Sequence, residues 1–226
     1  MKQFFITGTD TEVGKTHTSC LLLKFIQNYG HRALGFKPIA AGAEEAFGQW
    51  VNDDALSLLE SSNVNVPYNT VNPFVFEEPI APHIAAKNAG KKISLASLAA
   101  SYRAIKATET DYLLTEGAGG WALPINDTDY LYDWVKAENL PVILVVGLKL
   151  GCLNHALLTQ AHMLQLGINC VGWIANHVDK DMLEQQANIA SLKERLTMPL
   201  LAVAPYSESQ AKLQVHDVLL DVLKLR

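Results

Sequence analysis

Six short runs of apolar residues with high β-propensity recur along the chain and alternate with longer segments of helical periodicity. The runs occupy residues 3–7, 33–37, 112–115, 141–146, 170–175 and 200–204. Each run is apolar throughout rather than alternating with polar residues, so both faces of each strand are expected to be covered. The pattern predicts an α/β fold, with a doubly wound, mostly parallel sheet and helices on both of its faces.

Helical patterns fill most of the segments between these strands. They predict helices at residues 15–29, 54–61, 94–108, 130–138, 155–166, 180–196 and 207–223. One further segment, residues 64–92, is irregular and contains many Asn, Pro and Gly residues. It is too long for an ordinary connection in a compact domain. We therefore expect it to carry part of a functional site.

The size and composition of the chain fit one globular domain. It has 226 residues, of which 49% are hydrophobic and 18% are charged, which suffices for a sizeable core, and we assign residues 1–226 to a single domain. The net charge of −5 and the scattered lysines and arginines give no basic surface for nucleic acid. No apolar run reaches the ~18 residues of a membrane span or resembles a signal peptide, so we expect a cytoplasmic protein that binds no membrane.

The strongest chemical signal follows the first predicted strand. Residues 8–16 read Gly-Thr-Asp-Thr-Glu-Val-Gly-Lys-Thr and lead directly into the first predicted helix. In a phosphate-binding loop, glycines let backbone N–H groups turn inwards, and the N-terminus of the helix attracts anions. Lys15 would reach the β- and γ-phosphates and the Thr16 hydroxyl would bind magnesium. Five residues rather than the usual four separate Gly8 from Gly14.

Two carboxylates are candidate partners for a magnesium ion at this loop. Glu116 follows the predicted strand at 112–115 and precedes the small residues 117–120, whereas Asp54 opens a predicted helix. In this fold, acidic residues that complete such a site belong at the carboxyl ends of neighbouring strands. Local sequence explains Asp54 equally well as a carboxylate that stabilises the N-terminus of its own helix.

A second lysine, Lys37, ends the predicted strand at 33–37 and is followed by Pro38. We expect its amine to point into the crevice at the strand ends, beside Lys15. Two fixed cations suit a reaction in which negative charge builds on a transferring phosphoryl group and on an attacking oxygen. Taken alone, a lysine at a strand end is more often a solvated charge.

Several motifs, taken together, resemble the dethiobiotin synthetase family. In chain order they are residues 8–16, Lys37-Pro38, Asp54-Ala55-Leu56, Thr70-Val71-Asn72-Pro73, Pro79 with Pro82-His83, residues 116–121, Lys149-Leu150-Gly151-Cys152 with Asn154-His155, and Gly172-Trp173 with Ala175-Asn176. The resemblance runs from Phe4 to about Tyr206. Its most specific elements are the extended loop, Glu-Gly-Ala-Gly-Gly-Trp and Lys-Leu-Gly-Cys.

This resemblance implies a P-loop NTPase-like fold and an ATP-dependent ligase of biotin biosynthesis. Such an enzyme converts 7,8-diaminononanoate, CO2 and MgATP into dethiobiotin, ADP and phosphate, and works as a homodimer with its substrate site near the subunit interface. The resemblance implies that Lys15 and Lys37 are catalytic, because they stabilise the carbamate and the transferring phosphoryl group. It also implies that Mg2+ is held by Thr16, Asp54 and Glu116.

The same resemblance implies further binding residues. Those for ATP are Thr11, Glu12, Val13, Gly14, Lys15, Thr16, Thr18, Asn176 and Pro205. Those for the substrate are Lys37, Ala41, Gly151, Cys152, Leu153 and Asn154, of which the last four would offer a helix N-terminus to the substrate carboxylate of the partner subunit. Locally, Asn176 also fits a strand-end turn and Asn154 a simple N-cap. Ala41 and Ala43 replace serines that are usual in the family, so a polar contact to the substrate is expected to be missing.

Two other classes of protein share part of this pattern. A partitioning-type regulatory ATPase, which acts through a protein partner, has the same fold and an extended loop, but it typically carries lysine at the position of Asp10. A GTP-dependent metal-insertion protein should show an Asn-Lys-x-Asp motif and a His or Cys cluster, and the sequence has neither. The sequence therefore favours the synthetase, with the regulatory ATPase as the main alternative.

Overall fold

The computed structural model describes residues 1–46, 48–206 and 212–225. Its strands are β1 (Lys2–Gly8), β2 (Ala33–Phe36), β3 (Ile39–Ala41), β4 (Glu44–Ala46), β5 (Gln49–Val51), β6 (Phe74–Phe76), β7 (Tyr112–Glu116), β8 (Val142–Leu148), β9 (Cys170–His177), β10 (Leu200–Ala204) and β11 (Gln214–Val215). Its helices are α1 (Lys15–Asn28), α2 (Asp53–Ser61), α3 (Tyr68–Val71), α4 (Pro82–Asn88), α5 (Leu95–Lys106), α6 (Leu131–Ala137), α7 (Cys152–Leu166), α8 (Gln185–Arg195) and α9 (Asp217–Leu223). No helix in these described ranges has the length and apolarity needed to cross a lipid bilayer.

The main sheet has seven strands in the order β11-β10-β9-β8-β1-β7-β2. All neighbours pair in parallel except β10 and β11, which are antiparallel. From β1 the chain crosses to the edge strand β2 and returns to β7, which lies between β2 and β1; it then builds outwards on the other side to β8, β9 and β10. The strand that leads into the phosphate loop therefore lies inside the sheet, between β7 and β8.

Successive residues of the central strands face opposite sides of the sheet, and helices cover both sides. Phe4 and Ile6 belong to one buried cluster, which also contains side chains of α1, α2 and α9. Phe5 belongs to the other cluster, which contains side chains of α5, α6, α7 and α8. A sheet that is buried on both faces requires strands that are apolar throughout. The predicted doubly wound α/β fold is therefore confirmed.

The six strands predicted from apolar runs are present as β1, β2, β7, β8, β9 and β10. Their ends differ slightly from the prediction. Strand β8 continues to Leu148, and β2 ends at Phe36, so Lys37 lies one residue beyond it. Helix α7 begins at Cys152 rather than at residue 155, directly after Gly151, whose φ of 93° breaks the regular backbone before the helix.

Two predicted helices were too long at their N-terminal ends. The helix predicted at 180–196 begins only at Gln185, because the Asp179 carboxylate accepts a hydrogen bond from the N–H of Asp181 at 3.0 Å and holds a local turn. The helix predicted at 207–223 begins only at Asp217, since residues 214–215 instead pair with β10 as strand β11. Residues 207–211 of that prediction lie outside the described residues.

The irregular segment 64–92 contains structure of its own. It forms α3, then β6, then α4, and β6 pairs in parallel with β3 as a small second sheet. Strands β4 and β5 form an antiparallel pair nearby in sequence. Between β6 and α4, the chain passes through Pro79, Ile80 and Ala81, which line the principal cavity described below. These short strands and helices, β3 to β6 with α3 and α4, lie beyond the carboxyl end of β2.

Gly172 in β9 offers a test of how tightly the sheet packs against its neighbours. A Cβ atom added to it would lie 2.4 Å from Cγ of Leu201. We expect Gly172→Ala to lower the free energy of unfolding by about 1–3 kcal/mol through overpacking. Leu201→Ala removes the obstructing atoms, so the double variant should lose less stability than the sum of the two single variants. Urea unfolding measures all three. Additive losses would contradict this contact.

Candidate active site

The phosphate loop connects the carboxyl end of β1 to the first turn of α1. Gly14 caps the helix in the left-handed region, with φ 77°. A Cβ atom there would lie 1.9 Å from the amide nitrogen of Asn176, so only glycine fits. That same amide, at the end of β9, donates a hydrogen bond to the carbonyl of Val13 at 2.9 Å. The loop backbone is therefore fixed to the neighbouring strand end.

The amine of Lys15 lies under this loop and donates to the carbonyl oxygen of Asp10 at 3.1 Å. Burial, with a smaller contribution from the positive charge of Lys37, lowers the pKa of Lys15 to about 8. The carboxylate of Asp10 accepts from the N–H of Thr11 at 2.8 Å and from the amine of Lys149 at 3.3 Å. Lys149 follows β8, so this ion pair ties the loop to a second strand end.

Lys37, Asp54, Glu116 and Thr16 form one connected group beside the loop. The Lys37 amine donates to Asp54 Oδ2 at 2.9 Å, to Glu116 Oε1 at 2.5 Å and to the carbonyl of Gly117 at 3.3 Å. The Thr16 hydroxyl donates to the same Glu116 Oε1 at 2.7 Å. The side chain of Lys37 is 3% exposed and that of Glu116 is 0% exposed. The two charges are thus buried as a pair, because either one alone would be costly to desolvate.

Opposite charges set the protonation of this group. Burial alone would lower the pKa of Lys37, but the carboxylates of Glu116 and Asp54 outweigh it and raise that pKa. Burial would raise the pKa of Asp54, but Lys37 outweighs it and holds that pKa below its usual value. At neutral pH the lysine is therefore protonated and Asp54 is ionised.

The oxygen atoms of this group suit magnesium. The Thr16 hydroxyl and the carboxylates of Asp54 and Glu116 converge on one place, and Glu116 Oε2 is buried with no hydrogen-bond partner among the described residues. Mg2+ prefers oxygen ligands and commonly takes one or two carboxylates, with phosphate and water completing its shell. In the described part of the chain, no group of three or more His, Cys, Asp or Glu residues could hold a metal ion alone. Oxygens from water or from the nucleotide would complete the shell of a magnesium ion here.

A cavity of about 670 Å³ opens in front of these groups. The phosphate loop, the segment after β2, the segment before α4 and the small residues after β7 form its walls. Its lining includes Thr11, Glu12, Gly14, Lys15, Thr16, Lys37, Ala41, Asn52, Asp54, Pro79, Pro82 and Gly119. This volume is within the range of small-molecule sites. The expectation that part of residues 64–92 borders a site agrees with this lining.

Most of the site residues expected from sequence lie in or beside this cavity. Glu116 lies behind Lys37 and Thr16, and Val13 is held by Asn176. Thr18 is fully buried, and its N–H donates to the carbonyl of Gly14 at 3.0 Å, while its hydroxyl has no partner in the part of the chain that the structure describes. Pro205 follows Ala204, the residue of β10 that pairs with Asn176.

The expected carboxylate-binding residues are not brought to the cavity of a single chain. Gly151, Cys152, Leu153 and Asn154 form the cap and first turn of α7, and the lining of the cavity does not include them. The sequence had assigned this segment to a site shared with a partner subunit. The role of residues 151–154 in binding the substrate carboxylate stays a prediction.

Asn52 is a site residue that the sequence did not single out. Its side-chain amide donates to the carbonyls of Ala41 and Gly42 at 3.3 and 3.4 Å, and its Oδ1 accepts from the N–H of Ala55 at 3.4 Å. It thereby caps α2 and ties the end of β3 to the helix that carries Asp54. An Asn directly before two acidic residues is a helix N-cap signal that could have identified it.

The fold and the loop define the class of protein. A family model described as "AAA domain" matches residues 2–212. The MinD cell division protein of Aquifex aeolicus has a similar fold, with a TM-score of 0.56 over 92% of this chain and 83% of that chain, at 14% sequence identity. The chain is a nucleotide-binding α/β protein of the P-loop NTPase type.

Closer relatives identify the family. The chain is 61% identical to the ATP-dependent dethiobiotin synthetase BioD of Pseudoalteromonas translucida, over 98% of this chain and 97% of that protein. It is 48% identical to the ATP-dependent dethiobiotin synthetase BioD of Alteromonas mediterranea, over 91% and 93% of the two chains. The chain belongs to the ATP-dependent dethiobiotin synthetase family and is an ATP-dependent ligase. The resemblance seen in the sequence is thus confirmed.

The pKa of Lys15 predicts a pH dependence of nucleotide binding. As the pH rises through about 8, the amine loses the proton that attracts phosphate, so ATP should bind more weakly, by up to roughly tenfold per pH unit. Calorimetric titration between pH 7.5 and 9.5 measures the Kd. In Lys15→Arg the guanidinium stays protonated, so its Kd should be nearly constant over that range. A wild-type Kd that does not change would contradict the assignment.

Proposed function

We propose that this chain catalyses the ATP-dependent carboxylation and ring closure of 7,8-diaminononanoate with CO2, giving dethiobiotin, ADP and phosphate. Membership of the family supports the reaction. The observation that carries the proposal to this chain is that Lys15, Lys37, Asp54 and Thr16 all line one cavity at the mouth of the phosphate loop. Such a cavity can hold a nucleotide phosphate and a small acceptor side by side.

The chemistry needs positioned charge more than it needs a general base. One amine of the substrate adds to CO2 and loses a proton, which gives a carbamate. A carbamate oxygen attacks the γ-phosphorus and ADP leaves; the second amine then attacks the carbonyl carbon, the ring closes and phosphate leaves. In this proposal Lys15 and Lys37 would balance the negative charge of the carbamate and of the transferring phosphoryl group and so supply electrostatic stabilisation.

Magnesium is the proposed cofactor of this reaction. Thr16, Asp54 and Glu116 would hold it, directly or through water. The buried and unpartnered Glu116 Oε2 supports this ligand set. The bound ion would neutralise charge on the β- and γ-phosphates.

For ATP we propose binding through Thr11, Glu12, Val13, Gly14, Lys15, Thr16, Thr18, Asn176 and Pro205. Two observations favour a nucleobase near the end of β9. Among the residues that the structure describes, the Oδ1 atom of Asn176 is buried and has no hydrogen-bond partner, whereas its amide already donates to the carbonyl of Val13. An unpaired buried acceptor costs free energy until it meets a donor, and the exocyclic amine of adenine would supply one.

We propose that the enzyme is a homodimer. The outer side of α7 and the turn before it expose Leu150, Leu158 and Leu164, with exposed fractions of 96%, 62% and 58%. Large exposed apolar side chains on and beside one helix support a contact with a partner subunit at this helix. A partner docked there would cover the helix whose first turn contains Gly151–Asn154, which we propose as the binding site for the substrate carboxylate.

We also propose a single domain, no binding to nucleic acid or membranes, and a cytoplasmic location. The first and last strands that the structure describes belong to one sheet, which supports a single P-loop domain. A net charge of −5 does not favour binding to nucleic acid or to an anionic membrane. We expect the enzyme to act in the cytoplasm, where its nucleotide substrate is supplied.

The most direct test incubates the pure protein with ATP, Mg2+, bicarbonate and diaminononanoate. Phosphate release should require both the diamine and CO2, and dethiobiotin should appear by mass spectrometry. Lys15→Ala and Lys37→Ala should each lower the rate by about 10²–10³, the usual effect of losing one fixed donor to the transition state.

The exposed Lys24 of α1 provides the control, because Lys24→Ala removes the same charge from the same helix as Lys15 but away from the cavity. Its rate should match wild type. Equal ATP hydrolysis without diamine or CO2, or stimulation by DNA or membranes instead, would favour the regulatory ATPase over the synthetase.

Ala41 gives a second prediction, because it lines the cavity where relatives usually carry a hydroxyl. One neutral hydrogen bond contributes only ~0.5–1.5 kcal/mol, so Ala41→Ser should raise kcat/KM by no more than about tenfold. Ala43→Ser is the matched control, since Ala43 is buried but is not part of the cavity lining. A natural chain without detectable activity and an active Ala41→Ser variant would contradict this expectation.

A further inference from the structure

The Lys37 amine occupies the centre of the oxygen cluster that we propose for magnesium. Its three hydrogen-bond acceptors are Asp54 Oδ2, Glu116 Oε1 and the Gly117 carbonyl. Two of these three oxygens belong to the proposed metal ligands, and the third ligand, Thr16, bonds to the same Glu116 oxygen. The Lys37 ammonium group thus occupies the place among these carboxylates that a metal cation would take.

This position conflicts with the role of Lys37 in the reaction. An ammonium group has three N–H donors, and here all three have acceptors within the protein. An amine that is held in this way has no donor left for a carbamate or a phosphoryl oxygen. A divalent cation bound to the same carboxylates, even through the other Glu116 oxygen, Oε2, would lie a few Å from this amine, and two positive charges that close in a buried site repel strongly.

We infer that Lys37 is the resident counter-ion of Asp54 and Glu116, and that its amine leaves these carboxylates for the cavity when a divalent cation takes its place. The inference rests on the proposed function, since it assigns the metal to these oxygens. It makes the lysine available to the substrate only when the metal is bound. Lys37 lines the cavity, so its amine has open space to enter.

The balance of charge explains why the counter-ion is needed. Glu116 is 0% exposed, and a buried carboxylate without a partner is strongly unfavourable. The lysine neutralises it until metal and nucleotide arrive together. Lys15 does not compete for this place, because its amine donates to the carbonyl of Asp10 instead.

The inference predicts a gain of metal affinity on removal of the lysine. Mn2+ can report on the site by electron paramagnetic resonance, with no nucleotide present. Lys37→Met should bind Mn2+ at least about tenfold more tightly than wild type, because the competing cation is gone. Lys15→Met is the matched control: it removes a lysine from the same cavity without freeing a carboxylate, so its gain should be much smaller. Equal affinities in wild type and Lys37→Met would overturn the inference.

Thermal unfolding supplies a readout that does not depend on activity. Lys37→Met leaves the Glu116 carboxylate without its positively charged partner. The Tm of this variant should therefore be low in EDTA and should rise with Mg2+, whereas the wild-type Tm should change little. In the double variant with Glu116→Gln, this metal-dependent rise should disappear. A Tm of Lys37→Met that does not change when Mg2+ is added would contradict the inference.

If Lys37→Met does not fold at any Mg2+ concentration, the inference is tested on the wild-type protein by NMR. With 15N-labelled lysine, the Nζ resonance of Lys37 should shift between ADP with EDTA and ADP with Mg2+. An unchanged resonance would overturn the inference. Dethiobiotin formation by wild type separates the two proposals. If the enzyme is active but its Lys37 does not respond to metal, only the inference is refuted. If the protein is inactive but its Lys37 does respond, only the proposed reaction is refuted.

Discussion

Burial of the Glu116 carboxylate is the constraint on which the site depends. This residue ends β7 with no exposed surface, and a charge in such a place must have partners. Lys37 from beyond β2 and Thr16 from the first turn of α1 both donate to it, and Lys37 in turn reaches Asp54 at the start of α2. One buried charge therefore gathers four separate segments of the chain at a single edge of the sheet.

The phosphate loop is held by steric contacts and hydrogen bonds at one end and by an ion pair at the other. Gly14 turns into the left-handed region against the side chain of Asn176, and the amide of Asn176 fixes the carbonyl of Val13. The loop is thus pinned by the end of β9, and Lys149 pins its other half through Asp10. A loop that is fixed in this way keeps its N–H groups oriented before a phosphate binds, which lowers the cost of ordering on binding.

The sequence predicted the parts of this molecule that follow from local pattern. Strands buried on both faces are apolar throughout, so the six parallel strands could be recognised. The short strands β3, β4, β5, β6 and β11 have only two or three residues each, and tertiary contacts rather than periodicity decide their pairing. The meeting of Lys37 with Glu116 could be expected because parallel strands end at one edge. The pairing of Asp10 with Lys149 could not, because nothing local marks a contact between residues so distant in sequence.

In the proposed reaction, a substrate carbamate rather than water attacks the γ-phosphate. Isotope transfer tests it directly. In a single turnover with 18O-labelled CO2, before the label exchanges with water, a carbamate oxygen that attacks phosphorus must remain on the phosphate when the ring closes. We expect the released phosphate to carry 18O from CO2. Phosphate that takes its new oxygen from labelled water instead would contradict it.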